Sequence, residues 1–595
     1  MSLKSKREWV LPKEKTKDVV GQILKERGIK EKEIFLSPNI ENIPNYKKLH
    51  DTKSGAKKIL EHIEKGNKIV IHGDYDADGI CSASLLWDFL YRDVSKFLEK
   101  EIDVLPYIPD RVEQGYGLTK DSLNDVLNLG AKLVITVDCG VRDKGLIHEF
   151  MQEKDLDFVV TDHHLPPEDL LDNKQQDKGV KKEDKKEKEK EKGKDKEDKN
   201  KKKEEIQYPL VHQMYPGHEY PYTEICGTSV VYFLIQQIRD LLEMPKDLKY
   251  GLDLVALATV TDVMPLLDVN RVFVKEGLEE INKGKRLGLR MLALRAGIEP
   301  KEVQSYHLGY VLGPRINASG RIASPMEAVR LLVSNDENQC KEIANLLETT
   351  NFERQKMTTE IFEQAREEVK ESEDNLLFVI GKDWHEGIIG LVAGKLQQLY
   401  YRPVVVATKS EGAIKGSARS IKGFNITNAF DKFKEQLERY GGHELAAGFS
   451  TTEEKIETFK ESLVEYANKE ITKEQLQPNL NIEILLGSED ITKNLVNELK
   501  KLEPLGFGNP KPMVCLKELL IKSKQVIGRD GNHLKLFVGN KNTEPLTLLL
   551  FGCDDDVEIL KEGDSIDVVG YPDINVWNGR ESMQFNVKEW RGSGL

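Results

Sequence analysis

Apolar residues fall along this chain in three successive rhythms. In the first, Lys68–His72 (KIVIH), Lys132–Asp138 (KLVITVD) and Asp157–Thr161 (DFVVT) are short and almost continuously apolar, the pattern of strands buried on both faces. Between them, Gly79–Tyr91 and Asp121–Leu129 repeat apolar residues at helical spacing. Strand and helix in alternation predict a mostly parallel sheet with helices on its faces. Leu252–Val260 is an apolar helical run that ends at Thr261-Asp262. A charged helical stretch, about Glu337–Glu373, reads as a long connector. The second rhythm repeats the α/β pattern on a smaller scale: a strand at Asn375–Ile380, a helix at Ile388–Leu399 and a strand at Pro403–Thr408. From about Leu480 the third rhythm sets in. Short alternating strands are separated by turn signals such as Gly528–Asn532, Gly539–Lys541 and Trp577–Arg580, which predicts a small antiparallel barrel or sandwich.

One block belongs to none of these rhythms. Lys181–Glu205 holds 13 lysines and 10 acidic residues, and only Gly193 and Asn200 are uncharged. Such a segment cannot join a core, so it reads as a solvated insertion. With 595 residues the chain has room for several domains. No apolar run approaches the roughly 18–20 residues needed to cross a bilayer, so no membrane association is expected. The first residues carry positive charge with no apolar core behind them, so a secretory signal is not expected. Cys81, Cys139, Cys226, Cys340, Cys515 and Cys553 are scattered without a CxxC pair, which argues for a reducing cytoplasm. The net charge of −13 stands against a nucleic-acid partner unless the basic residues are gathered along one path.

The chemistry is concentrated at strand ends. His72-Gly-Asp74-Tyr-Asp76-Ala-Asp78-Gly79 packs three carboxylates and an imidazole behind an apolar strand. Carboxylates this close repel one another, and a fold tolerates them where a cation sits among them. Hard oxygen ligands with imidazole suit Mn²⁺ or Mg²⁺. A helix cap would need one carboxylate rather than three. A calcium loop is excluded, because no glutamate follows at the twelfth position. Two further strands end in Asp138-Cys-Gly and Asp162-His163-His164. Functional groups of parallel sheets gather at the carboxyl ends of the strands, so these clusters converge on one crevice. Asp262, at the end of an apolar helix, is a weaker candidate by the same reasoning.

HGDYDADG, ITVDCG, TDHH and ATVTDVMPL resemble the four motifs of the DHH phosphoesterase superfamily. LGPRINASGRI (Leu312–Ile322), WHEGIIGLVAGKL (Trp384–Leu396), GSARSIKGFNI (Gly416–Ile426), GGHELAAGFS (Gly441–Ser450) and LEPLGFGNPKP (Leu502–Pro512) narrow this to a resemblance to the RecJ family of single-strand-specific 5′→3′ DNA exonucleases. The resemblance runs from about Trp9 to Arg591, with no counterpart only for the charged block near Asp172–Ile206. It implies an N-terminal extension (1–50), a parallel-sheet DHH catalytic domain (51–330), a helical connector (331–372), a smaller α/β DHHA1 substrate-binding domain (373–470) and a C-terminal OB-fold (471–595). It also implies two divalent ions, Mn²⁺ or Mg²⁺. One would be held by His72, Asp76 and Asp138, and the other by Asp78, Asp138, His163 and Asp262. Asp74 would stand close by, and His164 would contact the scissile phosphate.

On the substrate side, Arg111 follows an apolar strand, and Arg315 and Arg321 flank a small-residue turn at Asn317–Gly320. Ser417, Arg419 and Ser420 form a second small-plus-basic loop, and Gly441-Gly442-His443 a third glycine turn. The resemblance implies that these residues grip single-stranded DNA, with the arginine pair at its 5′ end. It also implies a helicase and a single-strand-binding protein as partners. In the barrel region Arg529, Lys535, Phe537, Trp577 and Arg580 are weaker candidates, because aromatic residues of small barrels are mostly core. Two other readings stand beside the exonuclease: a phosphodiesterase for short oligonucleotides or cyclic dinucleotides, and a non-catalytic replication scaffold. Two departures from the family pattern are local: Thr261 stands where a small apolar residue is usual, and Met214-Tyr-Pro216 matches an Asn-Pro-rich turn only loosely. A passive charged insertion has a direct test. Deleting Lys178–Lys203 should leave the rate of strand degradation within a few fold, and loss of activity would refute it.

Overall fold

The computed structural model describes residues 7–12, 18–110, 114–115, 117–167, 206–410, 412–528, 531–539, 545–553, 556–577 and 579–594. The charged block and Arg111 lie outside them. The chain forms two compact units: Pro38–Asn351 with Gly506–Gly508, and the remaining Met1–Ser37, Phe352–Leu505 and Asn509–Leu595.

The first unit is built on five parallel strands: β1 (Ile69–Gly73), β2 (Val104–Tyr107), β3 (Leu133–Val137), β4 (Asp157–Thr161) and β5 (Leu210–Val211). Their order is β2-β1-β3-β4-β5. The chain steps outward from β1 to β2 and then returns past β1 to β3. The order therefore reverses between β1 and β3, which opens a crevice at their carboxyl ends. Side chains alternate between two packed layers. Ile69, Ile71, Leu133, Ile135 and Val159 join the core that holds Ile59, Ile80, Val230 and Leu254. Those four lie on α1 (Thr52–Lys65), α2 (Ala77–Asp88), α5 (Gly227–Leu241) and α6 (Leu252–Thr261). Val70, Val134, Phe158 and Val160 face the other way, onto Leu123, Val126, Ile147 and Phe150 of α3 (Lys120–Asn128) and α4 (Lys144–Lys154). Both faces are covered, which explains why these strands read as unbroken apolar runs.

Beyond α6 the unit continues in helices, including α7 (Gly313–Ile322), and α8 (Glu337–Val369) is one helix of 33 residues. Here the structure corrects a reading. Asn317–Gly320 is part of α7 rather than a turn, and its small residues serve close packing. A Cβ on Gly320 would sit 2.1 Å from the Tyr75 carbonyl oxygen, and one on Gly313 2.2 Å from Thr261 Cγ2.

The second unit holds a five-stranded sheet of β6 (Leu377–Lys382), β7 (Val404–Ser410), β8 (Ala413–Arg419), β9 (Arg439–His443) and β10 (Ala446–Thr452), in the order β9-β10-β8-β7-β6. Only β6 and β7 pair in parallel; the rest are antiparallel. The sheet packs through Phe378 and Phe449 against Phe430 of α9 (Ile426–Lys432) and Phe459 of α10 (Ile456–Glu470). Two sequence readings change here as well. Ser417 and Arg419 are strand residues of β8, not a loop, and Gly441–His443 are strand residues of β9, not a turn. Gly442, at φ 150°, takes a close approach in which a Cβ would lie 2.3 Å from the Ala446 carbonyl oxygen.

The C-terminal strands are β11 (Ile484–Leu486), β12 (Val514–Ile527), β13 (His533–Val538), β14 (Leu546–Phe551), β15 (Ser565–Trp577) and β16 (Arg580–Gly592). The order β11-β12-β13-β14-β16-β15, with a further β12–β15 pairing, closes a five-stranded barrel. It is not wholly antiparallel, since β14 pairs with β16 and β11 with β12 in parallel. The N-terminal segment is woven into this unit. Glu8–Val10 pairs in parallel with Asn479–Asn481, and Arg27 reaches both carboxylate oxygens of Glu483 and the side chain of Asn509. Asn509 in turn donates to the carbonyls of Leu502 and Pro504 at 2.8 Å each, which gives the LEPLGFGNPKP motif a structural task.

Candidate metal centre

The carboxyl ends of β1, β3 and β4 meet the end of α6 in the crevice. His72 is the penultimate residue of β1, Asp138 follows β3, Asp162-His163-His164 follow β4, and Asp262 caps α6 at its C-terminus. Asp138 holds a left-handed backbone, φ 62°, ahead of Gly140 at 107°. A non-glycine residue in that region stores strain, and here the strain sits where a carboxylate is turned into the crevice.

Each acid is held differently. Asp76 is the N-cap of α2, and its Oδ1 accepts the N–H groups of Asp78 and Gly79 at 2.9 and 3.1 Å. Asp78 is gripped by the N-terminus of α5. Gly227 N–H donates at 2.6 Å, Thr228 N–H at 2.8 Å and the Thr228 hydroxyl at 2.6 Å. A helix N-terminus favours an anion, so α5 stabilises this buried charge. Gly227 has a second duty: a Cβ there would lie 2.8 Å from Asp138 Oδ1. Asn317 Oδ1 accepts the Ala77 N–H at 2.7 Å, which ties α7 to the carboxylate turn.

His163 Nε2 is the meeting point. It lies 3.1 Å from Asp138 Oδ1, 3.6 Å from Asp262 Oδ2 and 3.8 Å from Asp78 Oδ2. Three sets of ligand atoms lie within 4.8 Å of one another: Asp74, Asp76 and Asp138; Asp78, His163 and Asp262; and Asp138, His163 and His164. Asp138 Oδ1 and Asp262 Oδ2 are buried and accept no hydrogen bond. No lysine or arginine pairs with Asp76, Asp78, Asp138 or Asp262 among the described residues. Buried, crowded carboxylates without a cation are costly, and their oxygens with imidazole are the donor set of a hard divalent ion, so the residues fit such an ion. Burial and the neighbouring carboxylates, Asp78 first among them, push Asp138 and Asp262 well above the ordinary range. Asp76 is raised by burial and by Asp78.

His72 stands outside these three sets. It is fully buried, with Nε2 3.1 Å from Ser122 Oγ and Nδ1 3.9 Å from Cys139 Sγ. Ser122 gives its own proton to the Thr119 carbonyl, so it accepts from a His72 Nε2–H, and the ring's lone pair is on Nδ1. Burial pushes His72 down to about 4.

The sequence marks Asp162 as part of the strand-end cluster but gives it no role of its own; in the structure it organises the loop. Its Oδ1 accepts the N–H groups of His163 and His164 and lies 2.8 Å from His164 Nδ1, while Oδ2 accepts the Val141 N–H at 2.9 Å. Burial would raise Asp162, but His164 outweighs it and holds the carboxylate well below its usual range. Burial would likewise lower His164, but the bond to Asp162 raises it. Ser122, Gly227 and Thr228 were missed, because an ordinary serine or Gly-Thr pair carries no signal until the fold sets it beside a ligand.

The substrate-side candidates divide. Arg315 is spent on Glu348 in a two-pronged pair at 2.6 and 3.1 Å and on the Val311 carbonyl. Arg321 lies in the last turn of α7, half-buried. In the other unit, Arg419 Nη1 donates to the Ala418 carbonyl and lies 3.4 Å from Ser417 Oγ. Both side chains lie over Gly390, where a Cβ would meet Ser417 Oγ at 2.9 Å. Ser420 gives its hydroxyl proton to the Phe424 carbonyl at 2.6 Å, and His443 is exposed at the end of β9. In the barrel, Lys535 lies 5.1 Å from the Phe537 ring. Lys511 and Lys588 lie 3.5 and 5.7 Å over Tyr571, a basic-aromatic group the sequence did not suggest. Arg529 and the Trp577 side chain lie outside the described residues.

The first unit's sheet order and strand-end acids, with the second unit's mixed sheet and barrel, define a DHH–DHHA1 chain carrying an OB domain. Family models match accordingly: the DHH family N-terminal domain at residues 68–259, the DHHA1 domain at 373–469 and the RecJ OB domain at 482–589. The chain belongs to the RecJ family. It is 32% identical over 580 residues to the single-stranded-DNA-specific exonuclease RecJ of Bacillus subtilis, covering 96% of this chain and 67% of that protein. It is 28% identical to the Thermus thermophilus protein of the same name, covering 95% and 74%. The structure of T. thermophilus RecJ in complex with Mn²⁺ superposes with a TM-score of 0.78 at 25% identity, covering 99% of this chain and 80% of that one.

The raised carboxylates have a consequence for stability. A group whose pKa is raised by folding stabilises the fold at low pH and loses that contribution as pH rises through the folded value. A cation binds only the deprotonated site. The gap in Tm between Mn²⁺-treated and chelator-treated protein should therefore widen by several degrees from pH 5 to pH 8. A constant gap would contradict the crowding described here.

Proposed function

We propose that this chain is a divalent-metal-dependent exonuclease that takes single-stranded DNA from its 5′ end and releases 5′-mononucleotides. The observation that carries the reading is the convergence of Asp76, Asp78, Asp138, Asp262 and His163, with two buried carboxylate oxygens left without a hydrogen bond. In this reading Asp78, Asp138, His163 and Asp262 would hold one Mn²⁺ or Mg²⁺, and Asp76 and Asp138 would hold a second, with His72 and Asp74 as neighbouring groups. When bound, two such ions activate a water and stabilise the attacking and leaving oxygens of phosphodiester hydrolysis.

The chain's own residues do the positioning. The α5 N-terminus fixes Asp78, and Asn317 fixes the turn between Asp74 and Asp78. Asp162 orients His164 and keeps it cationic further up the pH scale, which suits a contact to the scissile phosphate. Arg321 in the first unit and Ser417, Arg419 and His443 in the second are the phosphate contacts in this reading. Arg315 instead anchors α7 through Glu348. The barrel and a resemblance that spans nearly the whole chain favour long single strands over short oligonucleotides or cyclic dinucleotides. The direction of attack and the product come from the likeness of the motifs. We place the enzyme in the cytoplasm, where a helicase would supply its strand and a single-strand-binding protein would cover it.

A single experiment tests metal need, polarity and substrate together: Mn²⁺ is titrated against strands blocked at the 5′ or the 3′ end. The 3′-blocked strand should be degraded only with metal, and the 5′-blocked strand should be spared. Asp138→Ala should lose about a thousandfold or more in rate, given the several kcal/mol that such ions supply. Degradation of the 5′-blocked strand, or equal activity of the variant, would refute the reading.

A further inference from the structure

β5 is only two residues long, yet it places the chain beside the histidine pair. Its register on β4 (Val160↔Leu210, Thr161↔Val211) sets His212 and Gln213 alongside the Asp162–His164 loop. Both are fully buried. Gln213 Nε2 donates to the His163 carbonyl at 2.9 Å. His212 Nδ1 accepts the Met214 N–H at 2.9 Å, so its proton is on Nε2, which donates to the His164 carbonyl at 2.9 Å. Each histidine of the pair is thus held by its backbone carbonyl while its ring faces the acids.

The grip is itself anchored. Leu210 donates its N–H to Asp51 Oδ2 at 3.2 Å, and its carbonyl lies 3.0 Å from His50 Nδ1. His50 also bridges to His212 and packs its ring 4.4 Å from that of Tyr215. Gln213 Oε1 is buried without a hydrogen-bond partner, so the amide stays in place with half of its polar capacity unsatisfied. A residue whose only task is to fill space would be apolar there. Four residues separate Leu210–Gln213 from Glu205, the end of the charged block, so the chain pairs with β4 again a short way beyond it.

We propose that His212 and Gln213 are positioning residues that hold the backbone of His163 and His164 so that their rings meet the cation-binding carboxylates; this rests on the metal reading of the site. Groups that orient metal ligands from behind typically change metal affinity or activity by about 10–100-fold when removed. The test is Mn²⁺ binding to the purified full chain, followed by electron paramagnetic resonance. Gln213→Met keeps the volume and removes the donor, while His212→Gln keeps a donor at similar reach. Gln213→Met and His212→Ala should weaken Mn²⁺ binding about tenfold or more and lower kcat with little change in KM for the strand. His212→Gln should recover most of the affinity. Leu234→Ala, a core truncation in α5, serves as a control for lost stability.

Unchanged Mn²⁺ affinity in Gln213→Met and His212→Ala would overturn the proposal. So would a loss no larger than that of Leu234→Ala at matched Tm. Asp138→Asn separates the two levels of the argument: if it binds Mn²⁺ as tightly as the parent, the metal reading itself fails, and the positioning role falls with it.

Discussion

Five carboxylates and an imidazole share one buried crevice, and the rest of the first unit is arranged so that they do so without driving it apart. Asp138 and Asp262 sit in low dielectric beside Asp74, Asp76 and Asp78, and their acidity is suppressed accordingly. The compensation is specific at each position: an α-helix N-terminus for Asp78, backbone N–H groups for Asp76, and the paired histidine and three N–H groups for Asp162. Asp74 Oδ1, Asp138 Oδ1 and Asp262 Oδ2 are buried without a hydrogen bond, and the last two are what a divalent cation beside His163 would satisfy. Small residues follow from the same constraint. Gly227 lets α5 approach Asp138, and Gly320 lets α7 approach Tyr75.

Much of this was legible in the chain. The apolar runs of β1, β3 and β4 announce strands buried on both faces, and an Asp or His at the end of each points to one crevice. The reversal of strand order between β1 and β3 is what brings those ends together, and it rests on long-range pairing that no local pattern displays. Asp262 shows the same limit from the other side. At the end of an apolar helix it looks like a cap, and only the fold sets it 3.6 Å from His163 Nε2.

The substrate side was less legible, because small and basic residues serve packing as readily as binding. GPRINASGRI and GSARS looked like loops around an anion. In the fold they are a helix and a strand, and their glycines and serines admit close backbone approach. Arg315 carries the charge a phosphate would want, yet its fork is taken by Glu348. Ser122, Thr228, His212 and Gln213 act on the ligands rather than as ligands, so residue type and spacing do not mark them.

The proposal on which the rest depends is that the crevice would hold a pair of divalent ions, with Asp138 serving both. Anomalous scattering at the manganese edge, from crystals of the full chain soaked in Mn²⁺, tests it most directly. The account predicts two peaks in the crevice, both in contact with Asp138, one beside Asp76 and the other beside His163. A peak elsewhere, or none at Asp138, would contradict it.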